Sequence, residues 1–126
     1  MTLRALVVDD NLINVELAMF VLRAQGFVVE CAGGADEAII RTRSFCPDVI
    51  LMDIQMPDVD GVEAVRRLRD DPATREVVII AFTAYAMKGD EQKLKAAGCD
   101  GYIAKPIDVA SFAQTVQMHV NARRTV

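Results

Sequence analysis

Histidine and paired cysteine are nearly missing from this chain. The one histidine is His119, and the three cysteines, Cys31, Cys46 and Cys99, include no CxxC pair. Zinc centres draw on clustered His and Cys, so that chemistry lacks its ligands. His119, with no second His or Cys beside it, is read as a surface or partly buried helix residue, neither ligand nor base. An odd number of unpaired thiols suits a reducing compartment and small buried hydrophobes. Long apolar runs are absent too: none approaches the ~20 residues a bilayer span requires. The N-terminal MTLRALVVDD meets acids where a secretory signal would carry a cleavage site. The expectation is a cytoplasmic protein with no membrane insertion. Excess basic charge is lacking as well. The 14 Lys and Arg face 18 Asp and Glu, for a net charge of −4, and they are scattered apart from RRLR and ARR. Nucleic-acid backbones are bound by clustered basic side chains, so no direct DNA binding is expected.

What is present reads as one globular domain over residues 1–126. The chain is 52% apolar and 25% charged, enough to bury a core and too apolar for disorder. Five β-rich runs stand out: Leu3–Val8, Phe27–Ala32, Asp48–Met52, Val77–Phe82 and Gly101–Ala104. Three are nearly continuous in Val, Ile and Leu, as strands covered on both faces are. Between them the spacing predicts helices over Asn11–Gln25, Ala35–Phe45, Val62–Asp70, Met87–Ala97 and Asp108 to about Asn121. Stops come at Gly26, Pro47, Pro72 and Gly98. The last helix carries Val109, Phe112, Ala113, Val116 and Val120 on one stripe. Strict β-α alternation with short connections predicts an α/β fold, a doubly wound five-stranded parallel sheet with five helices.

In such sheets ligands bind outside the carboxyl ends of the strands, so the residues there carry the functional signal. Asp9 and Asp10 follow the first run, Asp53 the third, Thr83 the fourth, and Lys105 and Pro106 the fifth. The second ends blandly in CAGG. Each residue has an ordinary reading alone: Asp10 or Asn11 as a helix cap, Asp58 and Asp60 as turn residues before Gly61, Lys105 as a surface lysine. Their joint placement points elsewhere. Three carboxylates on one edge repel one another and require a cation. Oxygen ligands without His or Cys select a hard ion, and an incomplete cage suits Mg2+. With Lys105 and Thr83 added, the set describes a phosphoryl site in which a carboxylate attacks while cation and lysine neutralise the oxygens.

The blocks VVDDN, LMDIQMPDVDG, FTAYA and YIAKP resemble the signature blocks of response-regulator receiver domains, in that family's order and spacing over nearly the whole chain. The resemblance implies a flavodoxin-like strand order 2-1-3-4-5. It implies Asp53 as phosphoacceptor, with Lys105 on the phosphoryl oxygens. It implies Mg2+, with Mn2+ as a substitute, bound by Asp10, Asp53 and the backbone carbonyl of Gln55, and by Asp9 through a water. Thr83 would be the switch hydroxyl and Tyr102 the switch aromatic, and the Lys105–Pro106 bond would be cis. Gln55 and Tyr85 would tune phosphoryl lifetime, with slow self-hydrolysis expected.

The resemblance also implies partners: a histidine kinase or histidine phosphotransfer protein as donor, a downstream protein as target, and a monomer or weak dimer. The readout face would be the fourth helix, fifth strand and fifth helix. The fourth helix, AMKGDEQKLKAAG, has few large apolar anchors and should be weakly held. The first helix, NLINVELAMFVLRAQ, is apolar around most of its circumference. It is either broadly buried or carries an exposed docking patch, with Leu12 and Val15 as its test residues. The main expectation is a stand-alone single-domain receiver that is not a turnover enzyme. The alternatives are a receiver fragment of a hybrid kinase or larger regulator, and an aspartate-nucleophile phosphohydrolase. Hydrolases of that kind typically place a second acid two residues after the nucleophile, where this chain has Gln55, a poor general acid. A flavin carrier lacks its phosphate-cradling loop here. An unphosphorylated docking module does not account for Asp53, Lys105 and Thr83 together.

Overall fold

The computed structural model describes residues 2–54, 61–83, 90–105 and 107–124. Ten elements alternate along the chain: β1 (Arg4–Val8), α1 (Leu12–Ala24), β2 (Val28–Ala32), α2 (Ala35–Phe45), β3 (Val49–Asp53), α3 (Gly61–Asp70), β4 (Val78–Thr83), α4 (Asp90–Ala97), β5 (Gly101–Ala104) and α5 (Phe112–Arg124). The strands form one sheet in the order β2-β1-β3-β4-β5, and every pairing is parallel. The doubly wound architecture and strand order are those expected.

The β-rich runs become central strands because both faces of the sheet are covered. Period-two alternation splits them into two cores. Ala5, Val7, Val49, Leu51, Ile80 and Phe82 pack with Val15, Ala18, Val21 and Leu22 of α1 and Phe112, Ala113, Val116 and Val120 of α5. Leu6, Val8, Ile50, Met52, Ile79 and Ala81 pack with Ala35 and Ala38 of α2, Ala64, Val65 and Leu68 of α3, and Leu94 of α4. Among the described residues, no helix is long and apolar enough to cross a membrane.

Element ends fall where side-chain chemistry puts them. Asn11 caps α1, its Oδ1 accepting from the N–H groups of Ile13 at 3.0 Å and Asn14 at 3.2 Å. Cys46 closes α2 in the left-handed region at φ 54°, its N–H donating to the Thr42 carbonyl at 3.0 Å. The largest departure is at α5, expected from Asp108. The Asp108 side chain accepts from Ala110 N–H at 3.1 Å, while its carbonyl receives Ser111 and Phe112 N–H. Residues 109–111 are held in turns and the helix begins at Phe112. Val109 therefore leaves the expected apolar stripe and is exposed. The expected start of α4 at Met87 lies outside the described residues.

α1 resolves the two readings of its apolar surface. Val15, Ala18, Val21 and Leu22 are buried, whereas Leu12, Ile13, Leu17 and Phe20 face outward, Ile13 at 76% and Phe20 at 71% exposure. Val15 belongs to the core and is no probe of a docking patch. α4 is held by Leu94 and Ala97, and its end is tied down by a residue the sequence did not single out. Arg69, in the last turn of α3, donates to the carbonyls of Gly98, Arg75 and Val77 and to the Asp100 carboxylate at 2.9 Å. One guanidinium thus joins α3, the α3–β4 connection and the α4–β5 turn.

Candidate functional site

The strand register brings the chemistry-bearing residues to one edge. Val8 pairs with Met52, Asp53 with Phe82, and Thr83 with Ala104, so the carboxyl ends of β1, β3, β4 and β5 align. Asp9 follows β1 and is 3% exposed. Its N–H donates to the Ala32 carbonyl at 3.1 Å, so the bland end of β2 orients the acid beside it. Its Oδ1 accepts the Asn11 N–H at 2.9 Å and its Oδ2 accepts Lys105 Nζ at 2.7 Å. Asp10 is exposed. Asp53, the last residue of β3, is 3% exposed and lies 3.5 Å from the same ammonium.

One carboxylate oxygen from each of Asp9, Asp10 and Asp53 lies within 4.8 Å of the other two. Among the described residues, three carboxylates against the Lys105 ammonium leave an excess of negative charge in a largely buried place. An all-oxygen set of this kind fits a hard divalent cation.

Lys105 is positioned from two directions. Its backbone N–H donates to the Thr83 carbonyl at 2.8 Å, fixing the residue after β5 against the end of β4. Its side chain is 12% exposed, and Nζ lies 5.0 Å from the centroid of the Phe82 ring. Thr83 ends β4 in a buried position beside the strand that carries Asp53. Tyr102 is partly buried against the core on the α2–α4 side of the sheet. His119, as expected, is a partly buried helix residue, and its imidazole packs onto Gly101.

The structure thus brings together Asp9, Asp10, Asp53 and Lys105, with Thr83 on the adjoining strand end. Gln55, Tyr85 and Pro106, and with them the expected carbonyl ligand, lifetime residues and cis bond, lie outside the described residues. Reasoning from sequence missed three contributors. Phe82 reads there only as a strand hydrophobe. The Ala32 carbonyl has no side-chain signature. Gly61 was read as a turn glycine, but its role is one of space: a Cβ there would sit 2.6 Å from the Asp53 carbonyl oxygen, and its N–H donates to Ile54 O at 3.1 Å. Only glycine lets α3 start this close to the end of β3.

Comparison with known proteins agrees with this arrangement. The family model described as "Response regulator receiver domain" matches residues 5–117. The chain is 40% identical over 120 residues to the polar-differentiation response regulator DivK of Brucella ovis, covering 95% of this chain and 98% of that protein. The chemotaxis response regulator CheY4 of Vibrio cholerae superposes with a TM-score of 0.88 at 27% identity, covering 94% of this chain and 99% of that one. A two-component response regulator of the LuxR family from Aurantimonas sp. superposes with a TM-score of 0.84 at 32% identity, covering 98% and 88%. Family match, strand order and the acidic edge converge on one conclusion: the chain belongs to the response-regulator receiver domain family of two-component signalling.

Proposed function

We propose that Asp53 is the phosphoacceptor of this receiver and that the chain works as a cytoplasmic single-domain regulator. The observation that carries the proposal is the convergence of Asp53 with Asp9, Asp10 and Lys105 at the strand ends. A rigid β3 presents the Asp53 carboxylate, and Gly61 at the start of α3 sits directly against the end of that strand. An Asp53 oxygen attacks the phosphorus of a phosphohistidine on a kinase or phosphotransfer protein. An O–P bond forms, the P–N bond breaks, and the imidazole nitrogen keeps the electron pair. Lys105, already 3.5 Å from Asp53, follows the charge onto the phosphoryl oxygens.

Asp10 and Asp53 would hold Mg2+ directly, Asp9 through a water, and the Gln55 carbonyl would complete the protein ligands. When bound, the cation neutralises the carboxylates and the transferred group. Thr83 supplies the hydroxyl that bonds the phosphoryl group and carries the change to Tyr102, altering the face formed by α4, β5 and α5. The exposed Leu12, Ile13, Leu17 and Phe20 of α1, beside the acidic edge, form the docking surface for the donor. The acyl phosphate is lost by self-hydrolysis, so the chain accepts a group without turning over a substrate.

The test is the intact mass after incubation with Mg2+ and acetyl phosphate. One added phosphoryl group, absent with chelator and absent in Asp53→Ala, is the expected result. Turnover of acetyl phosphate without an adduct would identify a phosphohydrolase instead.

A further inference from the structure

Lys105 has an unusual third neighbour. Its ammonium meets Asp9 Oδ2 at 2.7 Å and Asp53 Oδ1 at 3.5 Å, and on another side the Phe82 ring at 5.0 Å from its centroid. That ring is fully buried, set 5.9 Å from the Phe112 ring at 37°, and paired in register with Asp53. The Lys105 backbone is fastened one residue further along the same strand, at the Thr83 carbonyl. Ring and Lys105 backbone are therefore both set by β4 itself, which keeps the ammonium within reach of the ring face.

We infer that Phe82 is a positioning residue for phosphoryl transfer, its ring face holding the Lys105 ammonium inside the acidic site; this rests on the phosphoacceptor reading of Asp53. An aromatic face attracts a cation through its quadrupole, most strongly where water is excluded. It offers no lone pair that fixes the ammonium at one point. During transfer the ammonium must shift from carboxylate oxygens toward phosphoryl oxygens. A carboxylate or carbonyl in place of the ring would hold Nζ back, and an aliphatic side chain would give it no stabilisation. The ring lets Nζ move within the site while the charge stays supported.

The test separates the ring's charge distribution from its volume. Fluorination at Phe82 leaves the shape nearly unchanged and progressively empties the ring face of negative charge. Site-specific incorporation of mono-, di- and trifluorophenylalanine at position 82 is followed by the rate of phosphorylation with acetyl phosphate and Mg2+. The Lys105 side-chain resonances are recorded in the metal-free protein. The expected result is a graded fall in rate, about tenfold across the series, with the ammonium signals moving in step. In Lys105→Met the series should be flat. A core role alone predicts unchanged rates across the series, since fluorination keeps the ring apolar, and that result overturns the inference. Phe82→Leu keeps an apolar core and should match the most fluorinated ring in rate. Should the unmodified protein take up no phosphoryl group, the phosphoacceptor reading falls and this inference with it. A flat series on a protein that does take one up overturns this inference alone.

Discussion

Asp53→Asn should stabilise the metal-free protein while removing its phosphoacceptor. The Asp53 carboxylate is 3% exposed and lies within 4.8 Å of both Asp9 and Asp10. At an effective dielectric of about 20, unit charges that far apart repel by about 3.5 kcal/mol. Asp10 is exposed, and solvent reduces its share to about 1 kcal/mol. Against this, the attraction to Lys105 Nζ at 3.5 Å amounts to about 5 kcal/mol on the same scale. These charge terms nearly cancel, so the sign is set by burial against the remaining contacts of the carboxylate. A carboxylate out of water loses several kcal/mol more hydration than an isosteric amide. Lys105 keeps its 2.7 Å contact with Asp9, so no cation is orphaned. The net gain should be about 1–3 kcal/mol, which for a domain of this size raises Tm by about 3–10 °C. Calorimetry in chelator measures it. Added Mg2+ should narrow the gap, because the cation stabilises the native wild type by mass action. An equal or lower Tm for Asp53→Asn in chelator would refute the reasoning, showing that Asp53 is held by contacts that outweigh its repulsion.

Arg69→Met should lower stability by about 3 kcal/mol, because it takes the guanidinium away from the largely buried Asp100 carboxylate, which keeps only neutral donors such as the Ile79 N–H, and from the Gly98 and Val77 carbonyls. Urea unfolding should show the midpoint falling by roughly 1–2 M, and a shift within error would mean that solvent satisfies those groups. Burial pushes the Cys99 thiol up to about 11, partly offset by the nearby Arg69 charge. Near pH 8, iodoacetamide should therefore modify the exposed Cys46 and spare Cys99 until the protein unfolds. The unfolded thiol ionises near 8.5 while the native one stays protonated, so the native state binds the extra proton and stability should fall as pH rises from about 8.5 toward 11. Ile13→Ser, on the exposed side of α1, should slow phosphotransfer from a protein donor about tenfold or more. It should leave phosphorylation by acetyl phosphate and Tm unchanged, and equal slowing with both donors would argue against docking there.

Much of this molecule is legible along the chain because its signals are local. Continuous Val, Ile and Leu runs separated by 3.6-period segments specify buried parallel strands and covering helices, and α2 occupies the span its spacing predicts, Ala35–Phe45. The strand-end acids follow from topology, since any doubly wound sheet gathers its carboxyl ends on one edge. The fourfold motif carried the family. Other features depended on which surfaces meet. Periodicity marks α1 as apolar nearly all round, but only packing against the sheet buries Val15 and leaves Ile13 and Phe20 outside. The turn before α5 was settled by Asp108 bonding its own backbone neighbours, a local competition that hydrophobic spacing does not register. Asp9 and Lys105 are 96 residues apart, and what each touches follows from strand register. Phe82 and Arg69 look like an ordinary strand hydrophobe and an ordinary helix cation in the sequence. The folded chain sets one beneath an ammonium and closes the other over four backbone and carboxylate partners, because long-range contacts are chosen by the shape of the whole sheet and its helices.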